Sequence, residues 1–209
     1  MGWYGKYVFP RLLDRSMADP VYEGYRRDLL ADAQGSILEI GFGTGLNLGC
    51  YPTTVQSITA VDINPGMNPM AQRRIQQSGI QVDLQVLDAQ HLPMPDQQFD
   101  TVVSTWTLCS IPHLALALQE IRRVLKPTGR FLFLEHGLSP VAGVQVWQRR
   151  LEPIQKVLAD GCHLTRPIDR LIREQGFEIQ RLNTYEAAKT PAFLGYFYQG
   201  MAIVSDPVT

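Results

Sequence analysis

The stretch Glu39-Ile-Gly-Phe-Gly-Thr-Gly45 constrains the fold of this chain more than any other. Three glycines at alternate positions directly after the apolar run Ser36 to Ile40 mark a strand that turns sharply at its end, since glycine adopts left-handed backbone without steric cost. Ser57-Ile-Thr-Ala-Val-Asp62 is a second run of this kind, closed by a carboxylate, and Gln81 to Leu87, Phe99 to Ser104 and Arg130 to Glu135 supply three more. Helical periodicity fills most of the gaps. The clearest case is His113 to Leu125, where Leu114, Leu118, Ile121 and Leu125 share one face while Gln119, Glu120, Arg122 and Arg123 point away. Pro127 is expected to end this helix and Gly129 to turn the chain. Strands alternating with helices imply a parallel sheet covered on both faces with right-handed crossovers: a doubly wound α/β domain.

Beyond Glu135 the pattern changes. Trp147, Leu151, Ile154 and Leu158 form a further helical stripe that Pro153 is expected to kink or open, and Pro167 to Glu174 reads as a short helix. Phe177 to Tyr185 and Gly195 to Val204 read as closing strands, and their short link implies an antiparallel pair. The expectation is a mostly parallel, seven-stranded sheet with an antiparallel C-terminal strand. It occupies a single domain over 1–209: an N-terminal lid or helical segment (1–34), a ligand-binding core (35–136) and a region of further helices and closing strands (137–209). No repeat or linker suggests a second domain.

Composition narrows the function. The 209 residues, 45% hydrophobic and 19% charged, suit one soluble core rather than disorder. With 19 Lys and Arg against 20 Asp and Glu, no basic field exists to hold a polyanion, so nucleic acid is not an expected partner. Cys50, Cys109 and Cys162 are odd in number and far apart in sequence, so neither a disulfide framework nor a zinc ribbon is expected, and no metal. A reducing, cytoplasmic setting fits. No apolar run approaches the roughly 18–20 residues of a spanning helix. The start reads as mature protein, since Lys6 stands where a myristoylation signal wants Ser or Thr.

Open α/β sheets bind ligands beyond the carboxyl ends of their strands. A dinucleotide fingerprint, G-x-G-x-x-G, would put its third glycine at position 46, where this chain has Leu46; this argues against NAD and an oxidoreductase. Gly41, Gly43 and Gly45 also admit a purely steric reading as a tight turn. Asp62 lies near the spacing at which an acidic residue meets a ribose, and it also suits an N-cap for a helix starting near Pro65. Asp88, after the third strand, is either a turn aspartate or an acceptor for an exocyclic amine.

Taken together, Glu39-x-Gly41-x-Gly43-x-Gly45, the Asp62 strand end, Leu87-Asp88-Ala89, Phe99 to Ser104 and Leu125-Lys-Pro-Thr-Gly129 resemble, in order and spacing, the class I S-adenosylmethionine-dependent methyltransferases of the methyltransferase type 11 group. The likeness covers about residues 35–136. Glu39 stands where many members have Asp, and Thr128 where many have Gly. More narrowly, Thr107-Leu-Cys-Ser-Ile111, Glu135-His136-Gly137 and Asp160-Gly-Cys-His-Leu-Thr-Arg166 resemble the branch of alkyl-thiol methyltransferases and their bacterial relatives. Membrane-anchored members of that branch carry an apolar N-terminal segment that these residues lack.

The resemblance implies S-adenosyl-L-methionine as cofactor. Gly41, Gly43 and Gly45 would approach its methionine and ribose part, Glu39 would hold the amino-acid end, and Asn47 would contact it from the start of the first helix. Asp62 would take the ribose hydroxyls, Ile63 one face of the base, and Asp88 with the Ala89 backbone the adenine; Ser104 and Thr105 would line the path to the methyl group. His136 is the candidate base or acceptor-orienting group, and Trp106 and Trp147 are candidate pocket walls. The aromatic stretch Trp3 to Phe9 is either a lid over an apolar substrate or packing against the sheet. His163 beside Cys162 is read as positioning its segment, and His91 and His113 are assigned no role.

A small-molecule acceptor is expected, a thiol in first place, with a quinone, phenol or lipid head group as alternatives and a non-catalytic cofactor-binding protein as a reading of another class. Ser104-Thr-Trp-Thr107 lacks the Asn/Asp-Pro-Pro-aromatic signature of amino methylation on bases or glutamine, and the sequence shows no clustered cysteines for an arsenic acceptor.

Overall fold

The computed structural model describes residues 8–159, 161–187 and 190–205. Seven strands form one sheet in the order β3-β2-β1-β4-β5-β7-β6: β1 (Ile37–Ile40), β2 (Ser57–Val61), β3 (Gln81–Gln85), β4 (Phe99–Thr105), β5 (Leu125–His136), β6 (Phe177–Glu186) and β7 (Tyr196–Val204). The first five are parallel. β7 runs antiparallel to both β5 and β6 and lies between them. The helices are α1 (Phe9–Met17), α2 (Pro20–Leu30), α3 (Asn68–Ser78), α4 (Leu114–Val124), α5 (Ala142–Leu158) and α6 (Ile168–Glu174).

β1 is buried along its length, as an apolar strand covered on both faces must be. Alternation along β5 divides the core: Phe131 and Phe133 pack with α4 residues Leu118 and Ile121 on one face, while Leu132 and Leu134 pack with Leu29, Leu30 and Phe197 on the other. Strand order reverses between β1 and β4, whose carboxyl ends therefore leave a crevice.

Three boundaries differ from the sequence reading. No α-helix follows the glycine cluster; a single 3₁₀ turn (Leu46–Gly49) carries Asn47. The expected turn at Lys126 to Gly129 belongs to β5, which starts at Leu125 with a register shift between Phe99 and Thr101 of β4. α5 is one element of 17 residues with Pro153 inside it, and its stripe faces outward: Trp147, Ile154 and Leu158 are each more than half exposed. What ties α5 down is the buried Gln148, which donates to Gly137 O and accepts from Ser139 N. No helix among the described residues is long and apolar enough to cross a membrane.

Candidate functional site

At the end of β1 the chain turns through left-handed backbone at Gly41, Gly43 and Gly45. A Cβ on Gly41 would fall 1.8 Å from Thr107 Oγ1, so this glycine is required for the close approach of the segment after β4. A Cβ on Gly43 would meet nothing nearer than 3.9 Å, so the turn faces open space there. Asp62 braces the turn: one carboxylate oxygen accepts from Gly43 N (2.7 Å) and the other from Asn64 N (2.7 Å). The N-cap reading of Asp62 is met in part, by this contact two residues on, ahead of the 3₁₀ turn Pro65–Met67.

Glu39 is buried beneath the turn and accepts from Asn47 Nδ2 (2.9 Å) and Tyr51 OH (2.7 Å). Burial, only partly offset by these bonds and by Arg26, pushes its carboxyl up to about 7. Asn47 Nδ2 also reaches Thr105 Oγ1 (3.1 Å), and its Oδ1 is buried with no hydrogen-bond partner among the described residues. Ile63, 59% exposed, stands apolar in solvent beyond β2. Asp88 accepts from the Gln90 amide (2.9 Å) and holds the Gln90 side chain, whose oxygen accepts from His113 N; Ala89 is buried beside it.

A methyltransferase-domain family model matches residues 38–133, the stretch containing every one of these strand ends. The rat thiol S-methyltransferase TMT1B is 34% identical over 190 residues, covering 85% of this chain and 77% of the relative. The chain belongs to the S-adenosylmethionine-dependent methyltransferases. A phosphatidylethanolamine N-methyltransferase of Cereibacter sphaeroides is 27% identical, covering 69% of this chain and 71% of that one. Among solved structures, a SAM-dependent methyltransferase of Thermotoga maritima superposes with a TM-score of 0.68 at 17% identity, covering 98% of this chain and all of that one, which speaks for the fold.

The residues fit this cofactor on their own chemistry. Among the described residues, a buried acceptor without a donor at Asn47, an aspartate carboxylate at the end of β2 and an exposed apolar side chain next to it are groups that would suit an ammonium, a ribose diol and a flat base.

The carboxyl ends of β4 and β5 form the other half of the site. Ser104 is fully buried and its hydroxyl donates to Glu135 Oε1 (2.8 Å), so it braces Glu135 instead of lining an open path; Thr105, partly exposed, is the nearer to solvent. Glu135, fully buried, also accepts from the amides of Thr107 (3.1 Å), Leu108 (3.0 Å) and Cys109 (3.3 Å). Desolvation raises its carboxyl, against those bonds. Trp106 sits at φ +49, its amide donating to Leu134 O (2.7 Å) and its ring edge-on to Tyr22 and Phe197 under the Arg26 guanidinium at 4.7 Å. Trp147, by contrast, is exposed on α5, with the Arg150 guanidinium 5.6 Å from its ring.

His136, the last residue of β5, packs edge-on against Phe197 (4.8 Å). Its ring also lies beside Cys109 and Cys162, whose sulfurs are 3.3 Å apart. All three cysteines are free, as expected, but Cys109 and Cys162, far apart in sequence, meet in space, while Cys50 stands apart with Leu29 and Leu48 in the core. His163 does position its segment, its ring bonded to Glu152 (3.0 Å) and its amide to Cys109 O (2.8 Å).

Sequence reasoning missed the link between α1 and the glycine turn. Asp14 accepts from Thr44 Oγ1 (2.6 Å) and from Arg74 (2.6 Å), and Arg74 also donates to Thr44 O (2.9 Å). Of the aromatic stretch expected to act as a lid, Trp3 to Tyr7 and the side chain of Phe9 lie outside the described residues.

Proposed function

We propose that this methyltransferase places the methyl group on the sulfur of a small thiol. The observation that carries the reading is the 34% identity, across 85% of the chain, to a thiol S-methyltransferase. S-Adenosylmethionine supplies an electrophilic methyl group whose transfer neutralises a sulfonium charge. The chain has then to align the partners and exclude water, and proximity alone is worth about 7–11 kcal/mol. Gly41, Gly43, Gly45, Glu39 and Asn47 would receive the amino-acid and ribose part, Asp62 the diol, Ile63 a face of the base, and Asp88 with Ala89 its edge.

Thr105 and Trp106 would flank the reacting centre, with Ser104 positioning them through Glu135. Tyr22, Tyr25, Trp106, Tyr185 and Phe197 make an apolar wall that suits an alkyl group. A thiol, with a pKa of about 8.5, already provides a few per cent of nucleophile at neutral pH, so no strong base is needed.

The experiment incubates the purified chain with S-adenosylmethionine and, separately, an alkyl thiol, a quinol, a phenol and phosphatidylethanolamine vesicles, with products read by mass spectrometry. Methyl thioether is expected as the main product. Turnover of phosphatidylethanolamine, the substrate class of the Cereibacter relative, or of the quinol in preference to the thiol would overturn the reading.

A further inference from the structure

We infer that Cys109, His136 and Cys162 form a binding site for one soft cation of the zinc type, with a fourth coordination position left for a thiolate from outside the chain. The two sulfurs and a ring nitrogen of His136 all lie within 4.8 Å of one another. They come from the segment after β4, the last residue of β5 and the segment before α6, so the cluster sits at the same sheet edge as the crevice beyond β1 and β4.

The geometry fits. Tetrahedral zinc with Zn–S bonds near 2.3 Å separates two sulfurs by about 3.8 Å. The observed 3.3 Å has only to open by about half an ångström, whereas a disulfide needs closure to about 2.05 Å.

The ligand pair is held in advance. Cys109 N donates to Glu135 Oε2, and Cys109 O accepts the His163 amide, so the segment carrying Cys162 is stitched directly to the one carrying Cys109. Arg166 clamps the same segment by donating to Leu108 O and Ile111 O (2.7 Å), and Glu152 anchors the far side through Thr165 and His163. Gly161 turns through φ +94 beside Ser110 O.

Charge also favours a cation. Both cysteines are nearly inaccessible, and two thiolates with a divalent ion make a neutral unit, which the interior tolerates where two bare anions would not be. His136 adds a buried Nδ1 with no hydrogen-bond partner among the described residues, although the ring as a whole is partly exposed and marks the accessible side. Among the described residues these three are the complete ligand group, which leaves the open tetrahedral position typical of catalytic zinc sites. A thiol taking it would lose its proton to solvent as the metal–sulfur bond replaces water, so the identity of this fourth ligand rests on the thiol reading above; the cation site does not.

The test titrates Co²⁺, then Zn²⁺, into the full chain prepared metal-free under reducing conditions. Expected are a thiolate-to-cobalt charge-transfer band saturating at one ion per chain, displacement by zinc, and at least tenfold weaker zinc binding in both Cys109→Ser and Cys162→Ser. A shift of the band on adding an alkyl thiol is expected for the open position. Stabilisation of each variant by S-adenosylhomocysteine in thermal unfolding shows that the cofactor half is intact; should a variant not fold, the wild-type cobalt spectrum still decides. No band, zinc affinity unchanged by both substitutions, or a Cys109–Cys162 disulfide as the resting state each overturns the cation site. An unchanged band with thiol overturns only the fourth position. Metal binding without methylation of any thiol overturns the functional reading and leaves the site standing.

Discussion

The two halves of the site are built differently. At the ends of β1 to β3 the carboxylates are held by bonds short in sequence, Asp88 to Gln90 spanning two residues, Asn47 to Glu39 eight and Gly43 to Asp62 nineteen, with longer ties added by Asn47 to Thr105 and Thr44 to Asp14. At the ends of β4 and β5 they are long: Glu135 reaches back 26 to 28 residues to Thr107, Leu108 and Cys109, Cys162 meets Cys109 across 53, and Arg166 meets Leu108 across 58. Local bonds let the cofactor half be written as compact motifs. The half at the ends of β4 and β5 is assembled by the tertiary fold, and it meets the glycine turn where Thr107 packs against Gly41.

Glu135 offers the sharpest break between the halves. Replacing it with Ala strands three buried amides and the Ser104 hydroxyl, and at about 1–3 kcal/mol for each unpaired amide the loss in urea unfolding is expected to reach about 3 kcal/mol or more. Amide exchange in Glu135→Ala should rise at 107–109 and stay low at 41–47. Equal loosening of both stretches would show that the halves are not separate.

Glu39 tests the cofactor half. Its carboxyl titrates near 7 in the fold, against 4.5 for an ordinary glutamate, so between those values the folded state binds more protons and stability falls as pH rises. The stability difference between the wild type and Glu39→Gln should therefore shift against the wild type by up to about 3 kcal/mol from pH 4.5 to 7. A flat difference across that window means Glu39 is ionised in the fold, and the cofactor half is then charged beneath its turn.

The smallest effect on stability is expected at Gly43. With open space in front of it, Gly43→Ala should cost about 1–2 kcal/mol for its φ of +57 alone. Calorimetry should nevertheless show affinity for S-adenosylhomocysteine falling at least tenfold, because the new methyl group enters the space the turn faces. Unchanged affinity would move the cofactor away from this turn.

The strands, the glycine turn and the strand-end carboxylates Asp62 and Asp88 were legible because each is declared by neighbours in the chain, whereas the order of the strands in the sheet was not. Seven strands and the antiparallel closure also followed from periodicity and link length. The cysteine pair was not legible, since nothing local in Leu108-Cys109-Ser110 or Gly161-Cys162-His163 points to the other. Periodicity identified α5 and misjudged its surroundings: Trp147, Ile154 and Leu158 repeat as a core stripe does, yet they face away from the sheet while a glutamine is buried. A helical period reports which residues share a face, not what that face meets. Tying Asp14 to Thr44 and Arg74 needs three elements brought together, and a lone aspartate in an amphipathic helix gives no sign of it.

The placement of β7 has a consequence for how the molecule is made. β7 lies between β5 and β6, so β6 leaves the ribosome before its neighbour in the sheet exists. A nascent chain that has reached only residue 195 can complete the five parallel strands and the glycine turn, but it presents an unpaired edge along β5. At about 5–20 residues per second the interval before Tyr196 to Val204 emerge is brief. During that interval β6 has no partner in the sheet, and Tyr196 to Val204 then join it to the five parallel strands by pairing with β5 on one side and β6 on the other.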